Sequence, residues 1–299
     1  MTIAYWKRLF RRTPDEAAAA RRSGPLEALL YQLAPLFDMV LFHQTKQLQA
    51  QSGNPLNKFG RKCFSQSDED GITLEILRRI GCLADGVYAE FGVGNGMENN
   101  SLILAALGWR GFWVGGEDIA PDVTQATGAR RFAFLKEWVT RENIVSLART
   151  GLERVGGKQI DVLSLDLDGN DVYLAEAILG AGLRPKLFIV EYNGKFPPPV
   201  EFAIAYDPRH VWQGDDYFGA SLASFAGLFS RFQYRLVCCN AHTGANAFFV
   251  DASYSEQFAD VPTDINAIYK EPRYWLYNQY GHRCSVATVE RVINAGRTD

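Results

Sequence analysis

Three short stretches carry residue types that could do chemistry. The first, GVYAEFGVGNGMENN at 86–100, climbs through apolar residues to a carboxylate, Glu90, and then opens a turn on Gly92, Gly94 and Gly96. A glycine-rich turn between strand and helix lets the backbone come close to a ligand and presents unpaired N–H groups to it. The second, SLDLDGND at 164–171, sets Asp166 and Asp168 two residues apart and Asp171 after a Gly-Asn turn. Along a strand, residues i and i+2 point the same way, so Asp166 and Asp168 start on one face unless the turn intervenes. Carboxylates that close repel, unless a cation, a donor or a proton separates them. The third, IVEYN at 189–193, adds Glu191, Tyr192 and Asn193 at the next strand end. Two functions suit this set. Asp168, with Glu191 beside it, could take the proton of a hydroxyl as general base. Alternatively Asp168, Glu191 and Asn193 could hold Mg²⁺, which would orient and acidify the hydroxyl. The structural alternative is Asp166 or Asp171 at a helix N-terminus, and Asp171 fits that role better.

The elements that must position these residues alternate from about residue 64 onward. DGITLEILRRIG, NNSLILAALG, TRENIVSLARTGLERVG and DVYLAEAILGAG have helical spacing. Between them GVYAEFG, GFWVGGED, IDVLSLDLDG and KLFIVEYN are short apolar runs, each of the last three ending in acids or a carboxylate. Such alternation predicts an α/β fold with a doubly wound, mostly parallel sheet, whose ligands sit beyond the carboxyl ends of the strands. YRLVCCN and ANAFFVD, around 234–251, predict an antiparallel hairpin at the sheet edge. The organisation expected is a helical extension over 1–60, a main domain over 61–255 and a C-terminal extension over 256–299 packed on it. SGNPLNKFG at 52–60 is loop-like and marks the first boundary. A proline-rich stretch, FPPP, precedes DPRHVW and GDDYFGASL, as expected of a lid over a second ligand. There Trp212 and Tyr217 could stack on a sugar or aromatic ring, whereas Phe218 also suits a core and Ser221 a helix start. His210 and His242 fit surface or hydrogen-bonded histidines better than a catalytic base.

The glycine spacing is E-x-G-x-G-x-G, with Met97 where a dinucleotide fingerprint has its third glycine. It resembles the first motif of class I S-adenosylmethionine-dependent methyltransferases. The resemblance implies that Glu90, Gly92, Gly94, Asn95, Gly96 and Asp166 surround the methionine part of the donor, and that an acid at the end of the next strand binds its ribose. In GGED that acid is Glu117 in preference to Asp118. Trp138 is either an adenine neighbour or a core residue. FSQSDEDGI, AEFGVGNG, GWRGFWV, VTRENI, LSLDLDGNDVYL, IVEYN, DYFGASL and LVCCNAHTGANAFFV, in that order, resemble a bacterial branch of the FkbM-like methyltransferases over about 64–250. Members are mostly O-methyltransferases of hydroxyls on sugars or natural products, which implies such an acceptor, contacted here by Tyr192, Asn193, Trp212 and Tyr217. GGED departs from the family's strand-end acid followed by proline, and His242 stands where the family fixes no residue.

Composition narrows the classes further. Hydrophobic residues make up 47% and charged residues 22%, as in ordinary globular proteins, and a net charge of -3 argues against a nucleic-acid binder working through overall charge. The five cysteines (Cys63, Cys82, Cys238, Cys239, Cys284) show no C-x-x-C spacing and suit buried thiols in the cytoplasm. PLEALLYQLAPLFDMVLF at 25–42 is too interrupted by Glu27, Gln32, Pro35 and Asp38 to span a bilayer. MTIAYWKRLFRR interleaves Lys7, Arg8, Arg11 and Arg12 with Trp6, Leu9 and Phe10. It suits a helix packed on the domain or on a second copy, and secondarily an anionic membrane surface. Two rivals remain. A nicotinamide-dependent oxidoreductase is disfavoured by Met97, and a non-catalytic cofactor-binding scaffold by the intact acids Asp166, Asp168 and Glu191.

Overall fold

The computed structural model describes residues 25–96, 98–119, 131–273 and 285–288. The basic segment at 1–24, Met97, Cys284 and most of the C-terminal tail lie outside the described residues. Seven strands form one sheet: β1 (Val87–Phe91), β2 (Arg110–Gly115), β3 (Phe132–Lys136), β4 (Val162–Leu165), β5 (Leu187–Glu191), β6 (Tyr234–Cys239) and β7 (Asn246–Asp251). Their spatial order is 3-2-1-4-5-7-6. The first five run parallel, and β7 pairs antiparallel with both β5 and β6. The fold is the expected one, a doubly wound α/β sheet with an antiparallel edge hairpin. β3 is an addition. The run FAFLK forms an outer strand that is only partly covered, whereas β1 and β4 are buried throughout.

The helices among the described residues include α1 (Pro25–Gln51), α2 (Glu69–Arg79), α3 (Leu102–Ala106), α4 (Ile144–Arg154), α5 (Asp171–Gly180), α6 (Leu222–Arg231) and α7 (Ile265–Ile268). Ser221 caps α6 by accepting from Ser224 N, as its sequence suggested, and Phe218 is core at 2% exposure. No helix among the described residues is long and apolar enough to cross a membrane. Cys238 and Cys239 are buried thiols, but Cys63 is exposed, which corrects the expectation that it is buried.

The stretch at 52–60 is pinned to the hairpin. Asn54 Oδ1 accepts from Leu56 N (3.0 Å) and so caps a 3-10 turn over Pro55–Phe59. Asn54 Nδ2 donates to Val237 O, and Asn57 Nδ2 to Cys239 O, each at 2.8 Å. Further along, the buried acids before α2 bind inward. Asp70 Oδ2 accepts from the backbone N–H of Cys63, Phe64 and Ser65. Asn240 Nδ2 lies within hydrogen-bond distance of Asp68 Oδ1 and Glu69 Oε1. SQSDED thus fastens the first turn of α2 to the loop between β6 and β7 and to the segment that leads into the helix.

Gly111 stands opposite Tyr88 where β1 and β2 pair. A Cβ there would stand 2.2 Å from the Tyr88 ring, which is itself fully buried. Neither strand can retreat without breaking the ladder, so Gly111→Ala is expected to cost about 1–3 kcal/mol of stability by overpacking. Urea unfolding measures this, and an unchanged midpoint would contradict the close approach.

Candidate active site

In a sheet ordered 3-2-1-4-5, the strand order reverses between β1 and β4, and a crevice opens beyond their carboxyl ends. A cavity of about 1350 Å³ lies there, lined by the turns that follow β1, β2, β3 and β4, by Glu191 at the end of β5 and by the loop carrying His210 and Trp212. Gly92, Gly94 and Gly96 all have left-handed backbone, at φ +87°, +47° and +85°. At Gly92 no side chain fits, because a Cβ would overlap the Asp166 carbonyl oxygen at 1.6 Å. At Gly94 there is open space within 4 Å, and this glycine and Asn95 line the cavity. Gly96 does not line it; its N–H closes the turn on Val93 O at 2.8 Å.

Glu90 is on the cavity wall but turns into the fold. It is 2% exposed; Oε1 accepts from Asn100 N (2.9 Å), and Oε2 from Ser101 N (3.0 Å) and the Ser101 hydroxyl. It therefore stands in for the missing side-chain cap of α3. Burial raises its pKa, and these bonds oppose the rise. Beyond β2, Glu117 is exposed and lines the cavity, while Asp118 is paired with Lys136 at 2.7 Å. Trp138 is 53% exposed on the rim, not in the core, and its indole N–H donates to Pro208 O at 2.7 Å.

The acids after β4 and β5 meet. Asp166, Asp168 and Glu191 each offer an oxygen, and these atoms all lie within 4.8 Å of one another. Asp166 and Asp168 lie just beyond the end of β4, where Asp168 adopts a left-handed backbone at φ +53°, and Glu191 ends β5 beside them. Burial first, and then repulsion from Asp168, holds the Asp166 carboxyl well above its usual range. Glu191 is raised likewise, by burial and then by Asp166. Asp171 belongs to the scaffold, accepting from Leu167 N and Gly169 N at 2.9 Å each, and burial lifts its pKa to about 6.

Three of the residues expected to touch an acceptor do not reach the cavity. Tyr192 is fully buried and its hydroxyl donates to Lys270 O at 2.8 Å. Side chains alternate along a strand, so the residue after an inward-facing Glu191 points away. Asn193, 1% exposed, spends its amide on Asp216 O (2.9 Å) and Phe218 O (3.1 Å), and its Oδ1 accepts from Lys195 N (3.2 Å). It shapes a loop and is replaced by Asp166 as third member of the acid cluster. Tyr217 accepts from Ala205 N at 3.1 Å and packs on Phe202. Trp212, 37% exposed, does line the cavity.

The sequence reading missed Glu98, Asn99, Glu137 and His210 as lining residues. ENN directly after the glycine turn was the available signal for the first two. Glu137 follows the unforeseen β3. His210 lies over Gly169, 2.8 Å from its Cβ position, in a loop held by Asn170 Nδ2 donating to Asp207 O at 2.7 Å. Its Nε2 is shielded and has no partner among the described residues.

No protein-family model matches the chain, and no curated protein matches it either. Several solved structures superpose on parts of it. An O-methyltransferase family 2 protein from Planctomyces limnophilus, in complex with apigenin, is 14% identical over 56% of this chain and 50% of its own, with a TM-score of 0.34. The MycE methyltransferase of the mycinamycin pathway, in complex with Mg and S-adenosylhomocysteine, is 12% identical over 76% of this chain and 52% of its own, at a TM-score of 0.33. A precorrin-6y C5,15-methyltransferase from Geobacter metallireducens is 13% identical over 66% of this chain and 97% of its own, also at 0.33. The chain thus spans about half the length of the first two. Likeness at this level assigns no activity to this chain.

The crowded acids have a consequence for stability. A carboxyl whose pKa is raised on folding is better tolerated protonated, so its contribution is unfavourable above its folded pKa and vanishes below its unfolded one. Glu191→Gln removes one charge and leaves Asp166 a donor. The variant is expected to be more stable than the parent at pH 8 by on the order of 1 kcal/mol, with the gap closing toward pH 4.5. Denaturant midpoints at the two pH values check this, and a variant less stable at both contradicts the crowding.

Proposed function

We propose that this protein is an S-adenosylmethionine-dependent methyltransferase that methylates a hydroxyl of a sugar or natural-product acceptor in the cytoplasm. One observation carries the reading. The cavity over the switch point combines an open glycine turn with a wall of acids and, among the described residues, no lysine or arginine. A dinucleotide would bring a pyrophosphate into that field and find no cation to meet it. S-adenosylmethionine brings a sulfonium and an ammonium against one carboxylate, which the same field attracts.

The residues then divide the work. The turn at Gly92–Gly96 carries the methionine half, and Glu117 takes the ribose hydroxyls. Trp138, on the rim, offers a face to the adenine. When bound, the donor supplies an electrophilic methyl carbon. The site must hold the acceptor oxygen in line with the carbon–sulfur bond and keep water out. The oxygen's lone pair forms the new bond to carbon, the carbon–sulfur electrons leave with sulfur, and the hydroxyl proton passes to Asp168. Asp166 and Glu191 steady that carboxylate. A second reading is favoured by the 4.8 Å limit on the three acid oxygens: Asp166, Asp168 and Glu191 would hold Mg²⁺, a cation that prefers such hard oxygen donors and would acidify the acceptor hydroxyl.

Calorimetric titration with S-adenosylhomocysteine tests the donor site. Saturable binding is expected, as is its loss in Gly94→Val, which fills open space in the turn. Failure of well-folded protein to bind, or binding of NADH instead, overturns the reading. Asp168→Asn is expected to lower turnover by about 100-fold or more while leaving that binding intact. Near-normal turnover would remove Asp168 from its role.

A further inference from the structure

Two surface features outside the cavity meet at the end of α1. The first is apolar. Leu29, Leu36, Met39, Val40 and Phe42 are each at least half exposed, over about 20 Å of helix. At about 100° per residue, Leu29, Leu36 and Val40 form one stripe, and Met39 and Phe42 widen it on one side. The helix meets the body of the protein elsewhere: Gln49 is buried, and its amide donates to Gly60 O at 2.9 Å. Apolar side chains gathered on one exposed face mark a docking surface, whereas scattered ones need no explanation.

The second feature is basic. Lys46, one turn beyond Phe42, holds its ammonium 5.6 Å from the centre of the Phe42 ring, so the two features are continuous. Lys46 Nζ also donates to Gln49 Oε1 at 3.0 Å, and Gly60 O takes both the Gln49 amide and the Arg61 guanidinium. Lys62 follows, and its Nζ donates to Gln66 O at 2.9 Å. From the other side, His242 Nδ1 is 2.7 Å from Thr45 Oγ1, Arg273 N donates to Thr243 O, and Lys270 Nζ donates to Ser52 Oγ at 2.9 Å. None of these lysines and arginines is paired with a carboxylate among the described residues. They act on one another instead. Burial and then Arg61 lower the Lys46 pKa, and Lys62 and Arg273 add to the burial that lowers His242. Of the acids beside them, Asp68 is buried and accepts from Ala241 N and His242 N, which leaves Glu271 exposed. Cations therefore dominate this patch.

We propose that this face docks on an anionic lipid bilayer, with the apolar stripe of α1 among the acyl chains and Lys46, Arg61, Lys62, Lys270 and Arg273 against the phosphates. A bilayer offers both kinds of partner at once, in layers that match an apolar stripe running into a basic cluster. A second copy of the chain offers apolar side chains but brings its own cations to the cluster. The patch also borders the cavity. Gln66, whose carbonyl holds Lys62, lines the cavity, and so does Asn246, which follows the loop of His242 and Thr243. Docking thus sets one lip of the cavity at the membrane surface, whatever reaction the cavity carries out.

The test sediments the full chain with vesicles of equal parts phosphatidylcholine and phosphatidylglycerol, and with vesicles of phosphatidylcholine alone. Binding to the mixed vesicles is expected to be at least about tenfold tighter than to the neutral ones, and to weaken as salt is raised. Met39→Gln/Val40→Gln and Arg61→Gln/Lys62→Gln replace only exposed side chains, so the fold is kept. Each double variant is expected to weaken binding by at least about fivefold. Protein that stays in the supernatant with both vesicle types overturns the proposal. So does equal sedimentation with both, or binding that either double variant leaves unchanged, as Lys7, Arg8, Arg11 and Arg12 alone would give. Sedimentation velocity without vesicles supplies the last outcome. A dimer that Met39→Gln/Val40→Gln dissociates assigns the face to a second copy and overturns the bilayer.

Discussion

The site depends on one crossing of backbone over backbone. Gly92 lies against the Asp166 carbonyl so closely that a single added carbon would overlap it. Hydrogen bonds lock the crossing on both sides: Gly92 N donates to Val114 O at 2.9 Å, and Asp166 N to Phe91 O at 3.0 Å. The carboxyl ends of β2, β1 and β4 are thereby fixed relative to one another at the point where the strand order reverses. The glycine turn, the Glu117 carboxylate and the acid cluster each begin one or a few residues beyond this lock. Their spacing is a property of the sheet and owes little to the loops that carry them.

Negative charge is the second constraint, and the fold handles it in two ways. Acids with structural roles are given donors. Asp70 takes three backbone N–H groups, Asp171 takes two, and Glu90 takes two with a hydroxyl. Acids of the cluster after β4 and β5 are crowded against each other, with a hydrogen bond between the Asp166 and Glu191 carboxyls, and burial and repulsion push both of these up. Perturbed groups of this kind gather at functional sites more often than well-bonded structural acids do. The division separates Asp171 from Asp168, three residues away, by environment and not by residue type.

Much of this was legible in the sequence because it depends on periodicity and on glycine. The four inner parallel strands, the edge hairpin and the turn at 92–96 follow from short apolar runs and from positions that only glycine fills easily. β3 was not legible: it is no shorter than β1 or β5, but it is an outer strand that is only partly covered. Direction was the other loss. Glu191, Tyr192 and Asn193 are consecutive, yet only the first faces the cavity, because strand alternation and the following loop decide where each side chain goes. Glu90 shows the opposite limit: its position at the strand end was evident, but its engagement with the start of α3 needed the turn to be folded back. His210 and Asn99 gained their places from loops whose course no local pattern fixes.

The central claim is that the glycine turn and Glu117 form a methyl-donor site at the switch point. A crystal structure of the protein with S-adenosylhomocysteine tests it most directly. The account predicts the methionine half over Gly92–Gly96 and the ribose hydroxyls within hydrogen-bond distance of Glu117. Ligand bound elsewhere, or with its ribose away from the end of β2, would contradict it.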